Sequence, residues 1–277
     1  MRTVELPSGQ EMPVLGMGTW RMGEDSRKAQ READALRFGL DLGISLIDTA
    51  EMYGEGGAEA VVADAIAGRR SEAFLVSKVY PHNASKQSAI AACERSLSRL
   101  KTDYLDLYLL HWRGSVPLAE TLEAFQRLKE AGKIRAYGVS NFDVDDMEEA
   151  LEDINGVKIS TNQVLYNLTR RGIERDLLPW CGERSIPVMA YSPIEQGRLL
   201  NHETIKQIAQ ARQVSAAQVA LAWVLRQKNV VAIPKSSRIE HIQQNYEALR
   251  LVLTDDELER LNKAFPKPKR KVPLEML

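Results

Sequence analysis

An α/β chain folded as a (β/α)8 TIM barrel is what the sequence predicts, with a short N-terminal β-hairpin ahead of it and an additional C-terminal helix. Three observations carry this expectation. Eight short apolar runs alternate with amphipathic helical patterns over about 250 residues. No Pro-, Gly- or Ser-rich linker divides them, so residues 1–277 read as one barrel domain. Each run also ends in a side chain able to bond, carry charge or stack, where the active face of such a barrel lies. An open doubly wound sheet shares the alternation and is the structural alternative.

The first run, residues 14–18, ends at Gly18 and leads to Thr19 and Trp20. Ala29, Ala33, Leu36 and Leu40 then form one helical stripe, with Gly43 placed to cap it. Run 44–48 ends in Asp48, and the loop after it carries Tyr53 among glycines that let the backbone turn tightly near a ligand. Run 74–78 ends in Lys78 and is followed by the stripe Ile90, Cys93, Leu97 and Leu100. Run 105–111 ends in His111; Trp112 and Arg113 sit in a brief connection before Leu118, Leu122, Phe125 and Leu128, with Gly132 as the cap. Runs 134–140 and 159–163 deliver Ser140 and Asn141, then Asn162 and Gln163. Run 186–191 gives Tyr191 and Ser192, and run 230–234, through Ile233 and Pro234, gives Lys235, Ser236 and Ser237. Ile239, Ile242, Tyr246 and Leu249 continue the helical theme, and Thr254 with Glu257 reads as a capping box opening one further helix.

Composition removes several classes of function. Lys and Arg number 37 against 38 Asp and Glu, for a formal net charge of −1. No basic face for nucleic acid or an anionic membrane is implied by that balance. The N-terminal residues lack the apolar stretch of a signal peptide, and no window approaches a membrane span, so a cytoplasmic protein is expected. Cys93 and Cys181 match no metal-ligand spacing and read as two reduced thiols, with a single disulfide left open.

Taken singly, a strand-end Asp, Lys, Tyr or His is more often a solvating or packing residue than a catalyst. Converging on one mouth, Asp48, Tyr53, Lys78 and His111 acquire a mechanistic logic. A desolvated Lys78 needs an anion, which Asp48 can supply from the neighbouring strand end. An ammonium beside Tyr53 would favour the phenolate and lower the phenol pKa toward the range of a useful proton donor. His111 can orient a carbonyl oxygen. A poised acid without a nucleophile or metal suggests reduction of a C=O group. The four histidines show no paired ligand spacing, no metal site is expected, and no Gly-x-Ser-x-Gly elbow occurs. Gly16-Met-Gly18 begins a dinucleotide fingerprint, but Arg21 stands at its third glycine position, and no phosphate loop is present.

These residues carry a resemblance to the aldo-keto reductases along nearly the whole chain. The matching segments are 16–20, 47–54, 77–78, 109–112, 132–142, 162–163, 190–193 and 233–236. The chain is most similar to the short bacterial branch acting on methylglyoxal, diketogulonate and other small carbonyl compounds. The resemblance implies Tyr53 as general acid, Lys78 and Asp48 as the pair tuning it, and His111 as the orienting group. It implies cofactor contacts from Gly18, Thr19 and Trp20, from Ser140, Asn141 and Gln163 at the nicotinamide carboxamide, and from Tyr191 stacking on its ring. Ser192, Pro193, Ile194, Gly197 and Arg198 would run past the pyrophosphate. Ile233, Pro234, Lys235, Ser236, Ser237 and Arg238 would hold the adenosine 2′-phosphate, with Gln244 and Asn245 near the adenine. The family often has Arg where His241 stands and Glu where Gln244 stands.

Lys235 and Arg238 flanking two hydroxyls at a strand-to-helix junction make a good anion site, which favours NADPH (NADP+) over NADH. Trp20, Tyr53, His111, Trp112 and Arg113 are the candidate substrate residues, although Arg113 has the plainer reading of a solvated loop cation. The basic segment 266–273 resembles a basic localisation patch, but it reads rather as a solvated tail folding over the barrel. The expected activity is NADPH-dependent reduction of small aldehydes, α-dicarbonyls or ketones, by a monomer as is usual in that family. The alternative is a nucleotide-binding scaffold or sensor with vestigial activity. A metal-dependent barrel hydrolase is a more distant one.

Overall fold

The structure is a computed structural model describing residues 1–152 and 158–277. Strands β1 (Thr3–Glu5) and β2 (Glu11–Pro13) form an antiparallel hairpin, with Val4 opposite Met12. Leu6 and Met12 are buried beneath it, and Gln10 reaches Asp106 at the start of a barrel strand, so the hairpin packs on the N-terminal end of the barrel.

Eight parallel strands follow: β3 (Gly16–Gly18), β4 (Leu46–Asp48), β5 (Phe74–Val79), β6 (Leu105–Leu110), β7 (Ile134–Ser140), β8 (Asn162–Leu165), β9 (Val188–Tyr191) and β10 (Val230–Ala232). They pair in sequence order, and parallel bridges Leu15–Ala232 and Gly18–Lys235 bring the last back to the first. The barrel, not the open sheet, is therefore the architecture. Helices α1 (Ala29–Asp41), α2 (Gly57–Ala65), α3 (Lys86–Leu100), α4 (Leu118–Glu130), α5 (Val144–Glu152), α6 (Leu177–Glu183), α7 (Glu203–Arg212), α8 (Ala216–Leu225), α9 (Ile239–Glu247) and α10 (Asp255–Ala264) accompany the strands. The expected stripes face inward: Ala33, Leu36 and Leu40 of α1 and Leu118, Leu122, Phe125 and Leu128 of α4 are all buried. Gly43 and Gly132 follow α1 and α4 at φ of +86° and +72°, a conformation that a Cβ would strain. The Thr254–Glu257 capping box opens α10.

Several strands are shorter than or shifted from the expected runs, β3, β4 and β9 starting two residues later, and two differ in a way that bears on the site. β8 begins at Asn162 and continues past Gln163 to Leu165, so Gln163 lies within the sheet opposite Ser140. β10 ends at Ala232 because Pro234 has no N–H for a ladder; the chain reaches Lys235 through a single bridge. Cys93 and Cys181 are buried and free. The tail after α10 lies across the barrel, as expected: Lys267 donates to the Glu174 carbonyl and Lys271 pairs with Asp143 and Asp176. Among the described residues no helix is long and apolar enough to cross a membrane.

Candidate active site

Alternation along β5 decides what its residues face. Ser77 turns outward to helix α2, where its hydroxyl donates to Glu59 at 2.6 Å, and Arg99 grips the other Glu59 oxygen at 2.6 Å. Lys78 therefore turns into the barrel and is fully buried. Asp48, ending β4, shares that interior. The Lys78 ammonium uses all three of its protons: to Asp48 Oδ2 at 2.8 Å, to the Thr49 carbonyl at 2.8 Å and to Tyr53 Oη at 3.3 Å. Gln163 Nε2 donates to the remaining Asp48 oxygen at 2.8 Å.

Tyr53 is placed by the turn after β4. Gly23 (φ +73°) lies against the start of α2 so closely that a Cβ there would sit 2.2 Å from the Gly57 carbonyl carbon, which keeps the loop after β3 tight against the tyrosine loop. The Tyr53 and His111 rings meet edge to face at 5.7 Å, and Trp112 packs tilted beside His111 at 4.9 Å.

The electrostatics correct one expectation. Burial and then the Asp48 charge push the Tyr53 phenol well above its usual value; the ammonium beside it does not bring the pKa down. Tyr53 is thus held as a neutral phenol, with its proton in place. Burial also lowers the Lys78 pKa, against the opposing pull of Asp48. His111 falls to about 2, chiefly through burial and secondarily through Lys78, so its ring is neutral. Its Nδ1 is buried without a partner.

A cavity of about 920 Å³ opens above these groups. Asp48, Tyr53 and His111 form its floor, with Lys78 sealed beneath and absent from the lining. Trp20 and Trp112 wall one side, beside Gly18 and Thr19. Ser140, Asn141, Gln163 and Tyr191 lie together: Tyr191 donates to Asn141 Oδ1 at 3.0 Å, and Ser140 donates to the Gln163 carbonyl at 2.8 Å. Ser192, Pro193, Ile194 and Gly197 continue the wall toward Ile233, Pro234, Lys235, Ser236, Gln244 and Asn245, with His241 beside them. Asn162 instead braces the backbone, donating to the Phe142 carbonyl at 2.8 Å.

Four expected ligand contacts lie outside the lining. Arg113 is gripped at 2.8 and 2.7 Å by Glu149 on α5 and does not line the cavity. Arg198 bonds Glu195 at 2.9 Å. Ser237 and Arg238 stand beyond the wall at the head of α9, where the Arg238 N–H donates to Ser236 Oγ at 3.1 Å. Sequence reasoning also missed Arg21, Met52, Gln196, Leu200, Met276 and Leu277, all of which line the cavity. Arg21 was noticed only as a break in a glycine motif, yet it adopts φ +63° and stacks its guanidinium on Trp20 at 4.4 Å. No group of ligands able to hold a metal occurs among the described residues.

A barrel in which buried Asp48 and Lys78 meet Tyr53 beneath a long cavity, beside a neutral histidine, defines a carbonyl oxidoreductase class. The aldo/keto reductase family model matches residues 14–265, and the chain belongs to that family. It is 52% identical over its whole length to methylglyoxal reductase YeaE of Escherichia coli, covering 99% of that protein. It is 37% identical to the glyoxal reductase of Bacillus subtilis, with 94% of this chain and 91% of that protein aligned. An aldo-keto reductase of Klebsiella pneumoniae, solved in complex with NADPH, superposes with a TM-score of 0.97 at 52% identity, covering 100% of this chain and 99% of that one.

Proposed function

We propose that this aldo-keto reductase reduces small aldehydes, α-dicarbonyls or ketones with NADPH, and that Tyr53 supplies the proton. The observation that carries the reading is the contact set in which fully buried Lys78 touches both Asp48 and Tyr53 of the cavity floor. The residues present fit the nucleotide. The cavity runs from that floor, past the Tyr191 ring, to Lys235 and Ser236 and along His241 and Gln244 of α9, which suits an aromatic amide at one end and a phosphate at the other. The relatives named above, one of them solved with NADPH, support the same choice.

Bound there, the reduced nicotinamide would supply a hydride to the carbonyl carbon. The chain's own residues do the rest. His111, neutral at physiological pH, offers a ring N–H that fixes the carbonyl oxygen. Tyr53 Oη passes its proton to that oxygen as negative charge develops on it. The phenolate left behind faces the Lys78 ammonium, already 3.3 Å away, and Asp48 keeps that ammonium charged in a site that would otherwise favour its neutral form. Trp20, Trp112 and Met52 exclude water around the reacting carbon. Lys235 favours the 2′-phosphorylated nucleotide by direct charge. Initial rates of NADPH and NADH oxidation against methylglyoxal, glyoxal, aromatic aldehydes and keto-sugar acids test the reading; absence of turnover with every carbonyl, despite NADPH binding, would instead support a nucleotide-binding scaffold.

A further inference from the structure

We infer that Arg170 is a positioning residue: it ties the loop walling the nucleotide part of the cavity to the C-terminal tail walling the carbonyl part, so that nucleotide retention and pocket shape are coupled through one guanidinium. The inference rests on the function proposed above.

Arg170 follows β8 and stands between two carboxylates. Its Nη2 and Nε donate to Glu195 Oε1 at 3.0 and 3.3 Å, while Nη1 pairs with Glu275 at 2.5 Å. Glu195 belongs to the loop after β9 and is only 6% exposed at its side chain. Asn167 Nδ2 reaches its second oxygen at 2.8 Å, and Arg198 adds a bond at 2.9 Å. Burial raises the Glu195 carboxyl, but the bonds from Arg170 and Asn167 outweigh it and leave the group below its usual range.

The loop needs such anchoring. Ser192, Glu195 and Gln196 adopt φ of +46°, +49° and +54°, a strained region that residues other than glycine keep only where the surroundings over-determine it. Ser192, Pro193, Ile194, Gln196 and Gly197 are the cavity wall, and Asn167 also holds the Ser192 carbonyl at 2.9 Å. On the other side, Glu275 immediately precedes Met276 and Leu277, which line the carbonyl end; the Leu277 N–H donates to the Tyr191 hydroxyl at 3.3 Å. Take away the guanidinium, and two neighbouring carboxylates lose the cation they share. Glu195 keeps Arg198, but the tail loses this hold.

Reciprocity makes the coupling testable, because a contact that lets the tail strengthen nucleotide binding must let the nucleotide steady the tail by the same factor. Glu275→Gln changes a side chain outside the cavity wall. It is expected to speed NADP+ release and weaken NADPH binding about two- to fivefold, in line with a partly exposed ion pair. Tryptophan fluorescence and stopped flow read both quantities. In wild type, NADPH should slow tryptic cleavage at Arg270 and Lys271 by the same factor, and Glu275→Gln should erase that protection. Arg170→Lys keeps the charge but cannot bridge both carboxylates, so it should behave like Glu275→Gln. Glu275→Gln that raises only the methylglyoxal KM, with NADPH affinity and NADP+ release unchanged, overturns the coupling. Wild-type protein that bound no NADPH would instead refute the function proposed above.

Discussion

Gln163 donates a 2.8 Å hydrogen bond to the same carboxylate, Asp48, whose other oxygen holds Lys78. The carboxamide expected to meet the nicotinamide is thus joined directly to the carboxylate paired with Lys78 beside Tyr53, the proposed proton donor. Gln163→Leu would leave a buried carboxylate oxygen unpaired, at a cost of about 1–3 kcal/mol in stability. The same substitution should weaken NADPH binding, and chemical denaturation with and without NADPH separates the two effects.

Lys78→Met removes the ion-pair partner of Asp48 and strands its charge in the interior. A loss of about 3–5 kcal/mol of stability accompanies the loss of turnover. Asp48→Asn combined with Lys78→Met removes both charges, so thermal unfolding should recover most of the stability while turnover stays absent. Recovery of turnover in the double variant would contradict the assigned role of the ammonium.

The pH dependence follows from neutral His111 and protonated Tyr53. With the histidine pushed down to about 2 and the phenol pushed up, neither group titrates near neutrality. The rate of carbonyl reduction under saturating NADPH should show no inflection near the ordinary histidine value of about 6.5. Stability behaves differently. Between about pH 6.5 and 2 the unfolded chain protonates this histidine and the folded chain does not, so folding weakens as pH falls, by up to about 1.4 kcal/mol per pH unit from this group. Acid denaturation of His111→Gln should show a correspondingly flatter limb.

Lys235→Met should raise the NADPH dissociation constant about 10- to 100-fold, the worth of a charge-assisted hydrogen bond, and leave NADH nearly untouched. Equal loss for both nucleotides would move the phosphate contact elsewhere.

Arg113→Ala should leave the carbonyl KM unchanged, because Glu149 and Asp146 already occupy the guanidinium away from the cavity. A KM that rises only for carboxylate-bearing carbonyls would return Arg113 to the substrate pocket.

The barrel was legible because strand and helix leave different periodicities, and because a barrel puts polar groups at consistent strand ends. Asp48, Lys78 and His111 could be located that way without any contact being known. The strength of Tyr53 as an acid could not, since it depends on how far burial and Asp48 outweigh an ammonium 3.3 Å away. Arg113 was ambiguous for a similar reason: its partner Glu149 lies 36 residues onward, and only the fold brings them together. Met276 and Leu277 carry no periodic signal at all, so their place in the cavity follows from where the tail anchors at Arg170 and Tyr191.

Tyr53→Phe tests the proton-donor assignment most directly. The variant removes one oxygen from a ring that His111 and the loop still hold, so NADPH should quench tryptophan fluorescence with the wild-type dissociation constant. Turnover of methylglyoxal should fall by at least about a hundredfold, the usual contribution of a positioned general acid. A kcat within a few-fold of wild type, with binding intact, would contradict the account.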